Sequence, residues 1–575
     1  MFESTCLLVA LKVLYIMPWR RAARLPLPPA LRGAARRAST EAPTASAPTS
    51  SASAASAATG SGAARIRSQP LGAALPPLDP HAIGASLPQW ADVVGYEEGD
   101  PRVHTALRAG YPRFVYLQGA RRLFERAEVL FAAEGEVAVA APSARAALRI
   151  RDFVARALAL RGVEPPPSVR VHDLGAHGAY AITLPREHAL VAKSYWQHCG
   201  ELISSRHAEA VMQELDRRRD GAWCGEDAVA LELGAAAGAR EALCRRVAEM
   251  SNSDPRNTFL YPTGMAAISA AHRCLNRHNS PPGGGRRAIM FGFPYLDTLK
   301  LLARPELGGG VIFLGFGDEG DFDELERVVR SEPISGVFME FPTNPLLLSP
   351  DMARMRQLAD EFGFPIVIDD TIGGQNVDVL SRGGADVVCT SLTKQFSGTG
   401  NVMGGSLTLA AHSAHAASLH RSLAVDHEEL LFEPDAAVLL EASLDCEERM
   451  ARVNATAEKL ADFLAAHPNV RAVHYPKFST PEFYHQRMRP GGGYGGLLSI
   501  ILDAGHSERM FDALDVPKGP GFGTRFTLVG PYTMLAHYHE LEWAETYGVS
   551  ANLVRVWVGL ESADELIATF KDALE

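Results

Sequence analysis

The 575-residue chain has no Cys-x-x-Cys pair and no His-Glu-x-x-His, so the spacings that build zinc sites are missing. Its seven cysteines, Cys6, Cys199, Cys224, Cys244, Cys274, Cys389 and Cys446, are scattered. They read as free thiols in a reducing compartment, not as a disulfide framework. Excess positive charge is lacking too: the net charge of −11 argues against nucleic acid as a partner. The apolar run Cys6 to Met17, interrupted by Lys12, is too short for a membrane span and has no clear secretory cleavage site. Gly283-Gly284-Gly285 and Gly491-Gly492-Gly493-Tyr494-Gly495-Gly496 lack the strand-loop-helix context of a nucleotide fingerprint and read as loops. What is present, 47% hydrophobic and 21% charged residues, describes a soluble globular protein. Its length has room for roughly two to four domains.

Acid is also missing between Glu3 and Glu41. Arg20, Arg21, Arg24, Arg32, Arg36 and Arg37 come before the next acid, Glu41, and a Ser/Ala/Thr/Pro tract then runs to about Gly62. Such a segment cannot build a core. Residues 1–70 are therefore expected to be either a mitochondrial transit peptide or a disordered tail on a cytoplasmic enzyme.

The chemistry concentrates further on. Ser391-Leu392-Thr393-Lys394 follows the apolar run Ala385 to Thr390 and precedes a flexible Gly398-Thr399-Gly400 loop. A lysine there can hold a phosphorylated aldehyde as a Schiff base, with Ser391, Thr393 and nearby backbone N–H groups taking phosphate oxygens. Asp369 ends another apolar run, Phe364 to Ile368. A carboxylate at a buried strand end calls for a cationic partner such as a protonated pyridine nitrogen. Gly264-Met265 opens an alanine-rich helix whose unpaired N–H groups suit phosphate. Tyr295 follows the strand Ala288 to Phe291, where its face can stack on a ring, and Asn344 closes the strand Gly336 to Met339, within reach of a ring oxygen.

Taken in order, Thr-Gly-Met-Ala-Ala-Ile, Tyr295, Glu340-Phe341-Pro342-Thr343-Asn344-Pro345, Val367-Ile368-Asp369-Asp370-Thr371, Ser391 to Lys394 and Val554 to Glu561 resemble the Cys/Met-metabolism group of pyridoxal-phosphate enzymes. Ser86 to Gly99, Gly110 to Phe114, Trp196-Gln197-His198 and Phe526 to Tyr538 resemble the fungal-type cystathionine γ-synthases within it. The resemblance implies an α/β, fold-type I enzyme with pyridoxal 5'-phosphate on Lys394. Asp369 would face the pyridine nitrogen and Tyr295 would stack on the ring. Gly264, Met265, Ser391 and Thr393 would hold the phosphate, Asn344 would approach the ring oxygen, and Arg555 would take the substrate carboxylate. Bacterial relatives have a Tyr-Ser-Arg segment that reaches a neighbouring subunit's phosphate. Here two segments compete for that role, Tyr111-Pro112-Arg113 and Ser204-Ser205-Arg206. A shared site would imply a homodimer or homotetramer. Asp370 stands where relatives commonly have Asn, and Gly521 where a serine is common.

Residues 71–250 read as an N-terminal α/β region, 251–435 as a large domain with a mostly parallel sheet flanked by helices, and 436–575 as a smaller α/β domain. The segment 436–467 is expected to be one connecting helix. Tyr111 to Ala147 echoes the start of a pyridoxal-phosphate domain, but Ala144-Arg145 replaces Gly-Met. It reads as a degenerate half or a coincidence, with no second cofactor site. The expected activity is cystathionine γ-synthase, joining L-cysteine to an O-acylhomoserine. The alternatives are a cystathionine lyase, an O-acetylhomoserine sulfhydrylase or an inactive scaffold.

Overall fold

The computed structural model describes residues 66–163, 169–219, 236–279 and 285–575. Residues 1–65 of the expected transit or tail segment, Cys6 among them, lie outside these, as do Cys224 and Gly283-Gly284; residues 66–70 of that segment are described, and Ser68 donates its N–H to Asp515 at 3.2 Å. Among the described residues no helix is long and apolar enough to cross a membrane.

The N-terminal unit runs α1 (Gln118–Phe131), β1 (Glu136–Ala141), α2 (Ala144–Leu160), β2 (Arg170–Asp173), β3 (Tyr180–Pro185), α3 (Ala189–Cys199) and α4 (Ser205–Arg219). Its three strands form an antiparallel sheet in the order β1-β3-β2. Ser143 starts α2 because its hydroxyl accepts the N–H of Ala146 at 3.1 Å, satisfying a donor the first turn leaves orphaned. Ile150, Phe153, Val154 and Ala157 then recur at helical spacing and form the buried stripe. Each large side chain in that stripe stabilises the fold by about 2 kcal/mol.

The large domain begins with α5 (Ala239–Met250) and continues through β4 (Thr258–Tyr261), α6 (Gly264–Asn279), β5 (Ala288–Phe291), α7 (Leu296–Leu302), β6 (Val311–Leu314), α8 (Glu319–Ser331), β7 (Val337–Glu340), α9 (Met352–Phe362), β8 (Ile366–Asp369), β9 (Val387–Thr390) and β10 (Gly405–Leu409). The sheet order is β4-β10-β9-β8-β7-β5-β6. Only β10 runs against its neighbours, so the mostly parallel sheet expected from the alternation is what forms. One apolar core runs without a break from Leu123 and Phe153 of the N-terminal unit to Ala266, Ala267 and Leu407 of this domain.

The expected single connecting helix is two: α10 (Glu433–Ala442) and α11 (Cys446–Ala466). The Ser443 hydroxyl donates back to Leu440 O, the Leu444 side chain faces solvent, and Asp445 receives both prongs of Arg525 at 2.7 and 3.0 Å. A serine that bonds back into its own helix, followed by an aspartate held by a distant arginine, gives the chain its exit from the helix. The small domain follows, with β11 (Ala472–His474), β12 (Leu497–Ile501), β13 (Leu528–Gly530) and β14 (Leu553–Trp557) in the antiparallel order β11-β12-β14-β13.

Two expected boundaries move. Leu87, Val93 and Val103 pack into the small-domain core with Leu460, Ile500 and Phe511, so the segment before Tyr111 belongs with the C-terminal end of the chain. Leu243 and Val247 of α5 pack with Leu260, Ala436 and Leu439, so the large domain begins near residue 236 and not at 251. Apolar contacts made hundreds of residues away decide both.

Candidate active site

Strands β4, β5, β7, β8 and β9 all run the same way, so the loops at their carboxyl ends gather along one sheet edge. There they face a cavity of about 1530 Å³ lined by Gly264, Met265, Tyr295, Asn344, Asp369, Ser391 and Lys394, with Arg555 from the small domain and Tyr111 and Arg113 from the N-terminal side.

Lys394 lies one turn beyond the end of β9. Its Nζ is 4.4 Å from the Tyr111 ring centre and 5.1 Å from that of Phe522, with no carboxylate at ion-pair distance among the described residues. Burial holds the amine below its ordinary pKa; Tyr111 opposes this, while Arg555 and Arg113 add to it. A lysine kept short of full charge is a competent nucleophile. Burial pushes the Tyr111 phenol up, but the charges of Lys394 and Arg113 outweigh that and bring it below the usual range.

Asp369 accepts the Thr371 N–H at 2.9 Å, and burial raises its carboxyl above the ordinary value. A cation placed against it would reverse that shift. Glu340, the first residue of the Glu340-to-Pro345 motif, is a clamp: its two oxygens accept the N–H of Tyr295 at 2.6 Å and of Asn344 at 2.9 Å. Burial and the nearby Asp369 hold its carboxyl well above the usual range. It fixes the loops after β5 and β7 against each other.

Arg555 on β14 donates to Asn344 Oδ1 at 3.0 Å and to Gly521 O at 3.2 Å. No acidic residue among the described residues pairs with it, and burial lowers its pKa. Glu561, a few residues on, is engaged elsewhere, accepting both the N–H and the hydroxyl of Thr527 at 2.8 Å. A fork with both prongs on neutral oxygens can take a carboxylate. Asn344 therefore serves the arginine as well as the cavity. Gly521 has φ of 113°, a conformation side-chain-bearing residues rarely adopt, so glycine suits this position.

At the start of α6, Thr263 Oγ1 accepts the Ala266 N–H at 3.0 Å. A Cβ on Gly264 would stand 2.8 Å from the Ser391 Cβ, so only glycine lets the helix end and the β9 loop close into one cup. Thr393 is not part of that cup. It is buried, its hydroxyl donating to Gly404 O at 3.2 Å and accepting Gly404 N–H at 3.0 Å.

The structure also separates the two competing arginines. Arg206 donates to Asn401 O at 2.9 Å and pairs with buried Asp435 at 3.1 Å, away from the cavity. Arg113 is 2% exposed, pairs with Asp297 at 2.8 Å, and donates to the Tyr295 hydroxyl and to Gln197 O. Trp196-Gln197-His198 holds that loop. Trp196 Nε1 donates to Pro112 O at 2.9 Å, Gln197 Nε2 to Asp297 at 3.3 Å, and His198 lies 3.7 Å from Asp297. Tyr111 and Arg113 reach this cavity from the same chain, so a shared site no longer argues for a dimer.

These residues fit pyridoxal phosphate. The glycine-lined cup at a helix N-terminus suits a phosphate, the raised Asp369 suits a ring cation, and the Lys394 amine suits an aldehyde.

Residues 236–575 match the family described as Cys/Met metabolism PLP-dependent enzyme, and residues 120–204 match the N-terminal domain of fungal trans-sulfuration enzymes. The cystathionine gamma-synthase of Neurospora crassa is 33% identical over 88% of this chain and 98% of its own length. The L-2-amino-4-chloropent-4-enoate dechlorinase/desaturase of Streptantibioticus cattleyicolor is 32% identical over 86% of this chain and 96% of its own. A solved cystathionine gamma synthase from Xanthomonas oryzae pv. oryzae shares the fold, with a TM-score of 0.50 and 22% identity over 58% of this chain and 85% of that one.

Proposed function

Since the chain belongs to the Cys/Met-metabolism family of pyridoxal-phosphate-dependent enzymes, we propose that it is a cystathionine γ-synthase. In this reading the Cγ–O bond of an O-acylhomoserine, O-acetylhomoserine first among them, breaks, the acyl group leaves with that oxygen as its carboxylate, and Cγ joins the sulfur of L-cysteine as the thiol gives up its proton. The observation that carries the reading is an arginine with no acidic partner among the described residues and a desolvated lysine facing one cavity, in a chain similar over most of its length to the Neurospora protein of that name.

Pyridoxal phosphate, when bound, supplies the electron sink that lets C–H bonds of an amino acid ionise. Gly264, Met265 and Ser391 would hold its phosphate, Asp369 its ring nitrogen and Tyr295 its face. The chain does the rest. Arg555 fixes the substrate carboxylate with the fork that Asn344 and Gly521 aim. The Lys394 amine, once free, takes the proton from the substrate α-carbon and returns it, a task for which an amine held below its ordinary pKa is suited. Tyr111, with a phenol held below its usual range, lies against that amine and can share its proton. Tyr111, Phe522 and Tyr532 wall the lysine and arginine and limit water around them.

A second reading, elimination without addition of a thiol, is favoured by the similarity to the Streptantibioticus dechlorinase. Purified protein given the acetyl, succinyl and phospho esters of homoserine, each with cysteine or with sulfide, separates these readings. Cystathionine from the acetyl ester with cysteine is expected. A keto acid and ammonia with no cystathionine would support elimination, and homocysteine from sulfide alone would support a sulfhydrylase.

A further inference from the structure

Two stretches of the chain are built alike. Ala141-Pro142-Ser143-Ala144-Arg145-Ala146-Ala147 leaves β1 and enters α2; Tyr261-Pro262-Thr263-Gly264-Met265-Ala266-Ala267 leaves β4 and enters α6. In each, the hydroxyl two residues beyond the strand accepts the N–H three residues later, at 3.1 Å in one and 3.0 Å in the other. Both helices pack on α3, and each sends an arginine to the same buried carboxylate: Arg149 reaches Glu201 at 2.7 Å and Arg273 reaches it at 2.9 Å.

The two copies have diverged in what they hold. In the first, Ala144 carries a Cβ where Gly264 has none, and the Arg145 guanidinium donates to Val425 O at 2.7 Å. That copy contributes to the other one's site instead. The loop before α1 places Tyr111 against Lys394 and buries Arg113 against Tyr295 and Asp297. Trp196 and Gln197, at the end of α3, fix that loop.

We infer that the N-terminal unit is a diverged internal copy of the cradle-bearing half, and that it completes the site in cis, so that a single chain is the unit that holds cofactor and turns over. This rests on the reading that the site takes pyridoxal phosphate, but not on which substrate is used. In the folded chain, Arg113 keeps Tyr295 and the cavity wall in place, and no residue of a second copy is required.

The test uses pyridoxal phosphate itself as the probe, read by absorbance. On dilution of the holoprotein from micromolar to nanomolar, cofactor content per chain is expected to stay constant while sedimentation shows single chains. Cofactor lost in step with dissociation of an oligomer, or an oligomer at every concentration, would overturn the inference. Arg113→Ala is expected to weaken cofactor affinity by about tenfold or more, the effect of losing hydrogen bonds made by a charged group. Co-expressing it with Lys394→Ala, whose Arg113 is intact but which has no attachment lysine, should restore nothing. Recovered affinity in that mixture would place Arg113 in a neighbour's site. Should Arg113→Ala fail to fold, the dilution series on the unaltered protein still decides. Failure of the γ-synthase reading would leave these cofactor readouts unmoved.

Discussion

The β1-α2 and β4-α6 junctions share a proline, a hydroxyl cap and an alanine-rich first turn, yet only one of them opens on the cavity. The difference lies in what faces the helix end. At α6 the missing Cβ of Gly264 lets the Ser391 loop come within contact, and β9 delivers Lys394 beside it. At α2 a side chain occupies the same place and Arg145 turns to a backbone carbonyl. A helix N-terminus with free N–H groups is therefore not a site on its own account; a neighbouring loop has to be able to close over it.

The largest effect that tests this comparison is on the lysine. Lys394→Ala should abolish covalent cofactor attachment and lower turnover by on the order of 10^4-fold, the scale of losing a positioned proton carrier. Lys193→Ala, on the N-terminal wall of the same cavity, should leave attachment in place. Equal losses in the two variants would erase the distinction between the halves. Next comes the cradle. Gly264→Ala should weaken cofactor binding about tenfold or more, since its Cβ would sit 2.8 Å from the Ser391 Cβ and the cup must open. Ala144→Gly, the reciprocal change, should bring no cofactor to α2 and destabilise the fold by about 1 kcal/mol or less in thermal melts.

A smaller and pH-dependent effect sits just beyond the end of β8 in the large domain. Asp370, hydrogen-bonded by Thr390 at 2.5 Å, has its carboxyl raised to about 7 by burial, with Asp369 beside it contributing. Its folded pKa exceeds the unfolded one, so the stability it contributes is full below about 4 and is lost as pH rises through about 7. Asp370→Asn should flatten the fall in melting temperature between pH 5 and 8 and leave the variant the more stable protein at the upper end. Parallel melting curves for the two proteins would remove Asp370 from that account. Smallest are the caps: Ser143→Ala and Thr263→Ala should each cost about 1 kcal/mol of stability, and only Thr263→Ala should also loosen the cofactor.

Much of the site could be read from local pattern. Lys394, Asp369 and Gly264 each stand next to a strand end, and an apolar run followed by a chemically unusual residue marks such a place without any tertiary information. The parallel sheet followed in the same way from the alternation of short apolar runs with helices. What pattern could not give depends on distant partners. Arg113 and Arg206 look alike in sequence; Asp297 draws one to the cavity and Asp435 keeps the other away from it. Thr393 sits in the motif but spends its hydroxyl on Gly404, and Glu340 is a clamp because two loops from different strands meet on it. The break at Ser443 to Asp445 likewise answers to Arg525, 80 residues further along. The internal copy was visible as Pro-Ser-Ala-Arg-Ala-Ala, but the shared capping geometry needed coordinates.

The most direct test of the account is to reduce the holoprotein with borohydride, digest it and map the labelled peptide. A single pyridoxyl-lysine at Lys394 is predicted, with none on the N-terminal unit. Label on any other lysine, or a chain that retains no cofactor when all of its described site residues are intact, would contradict it.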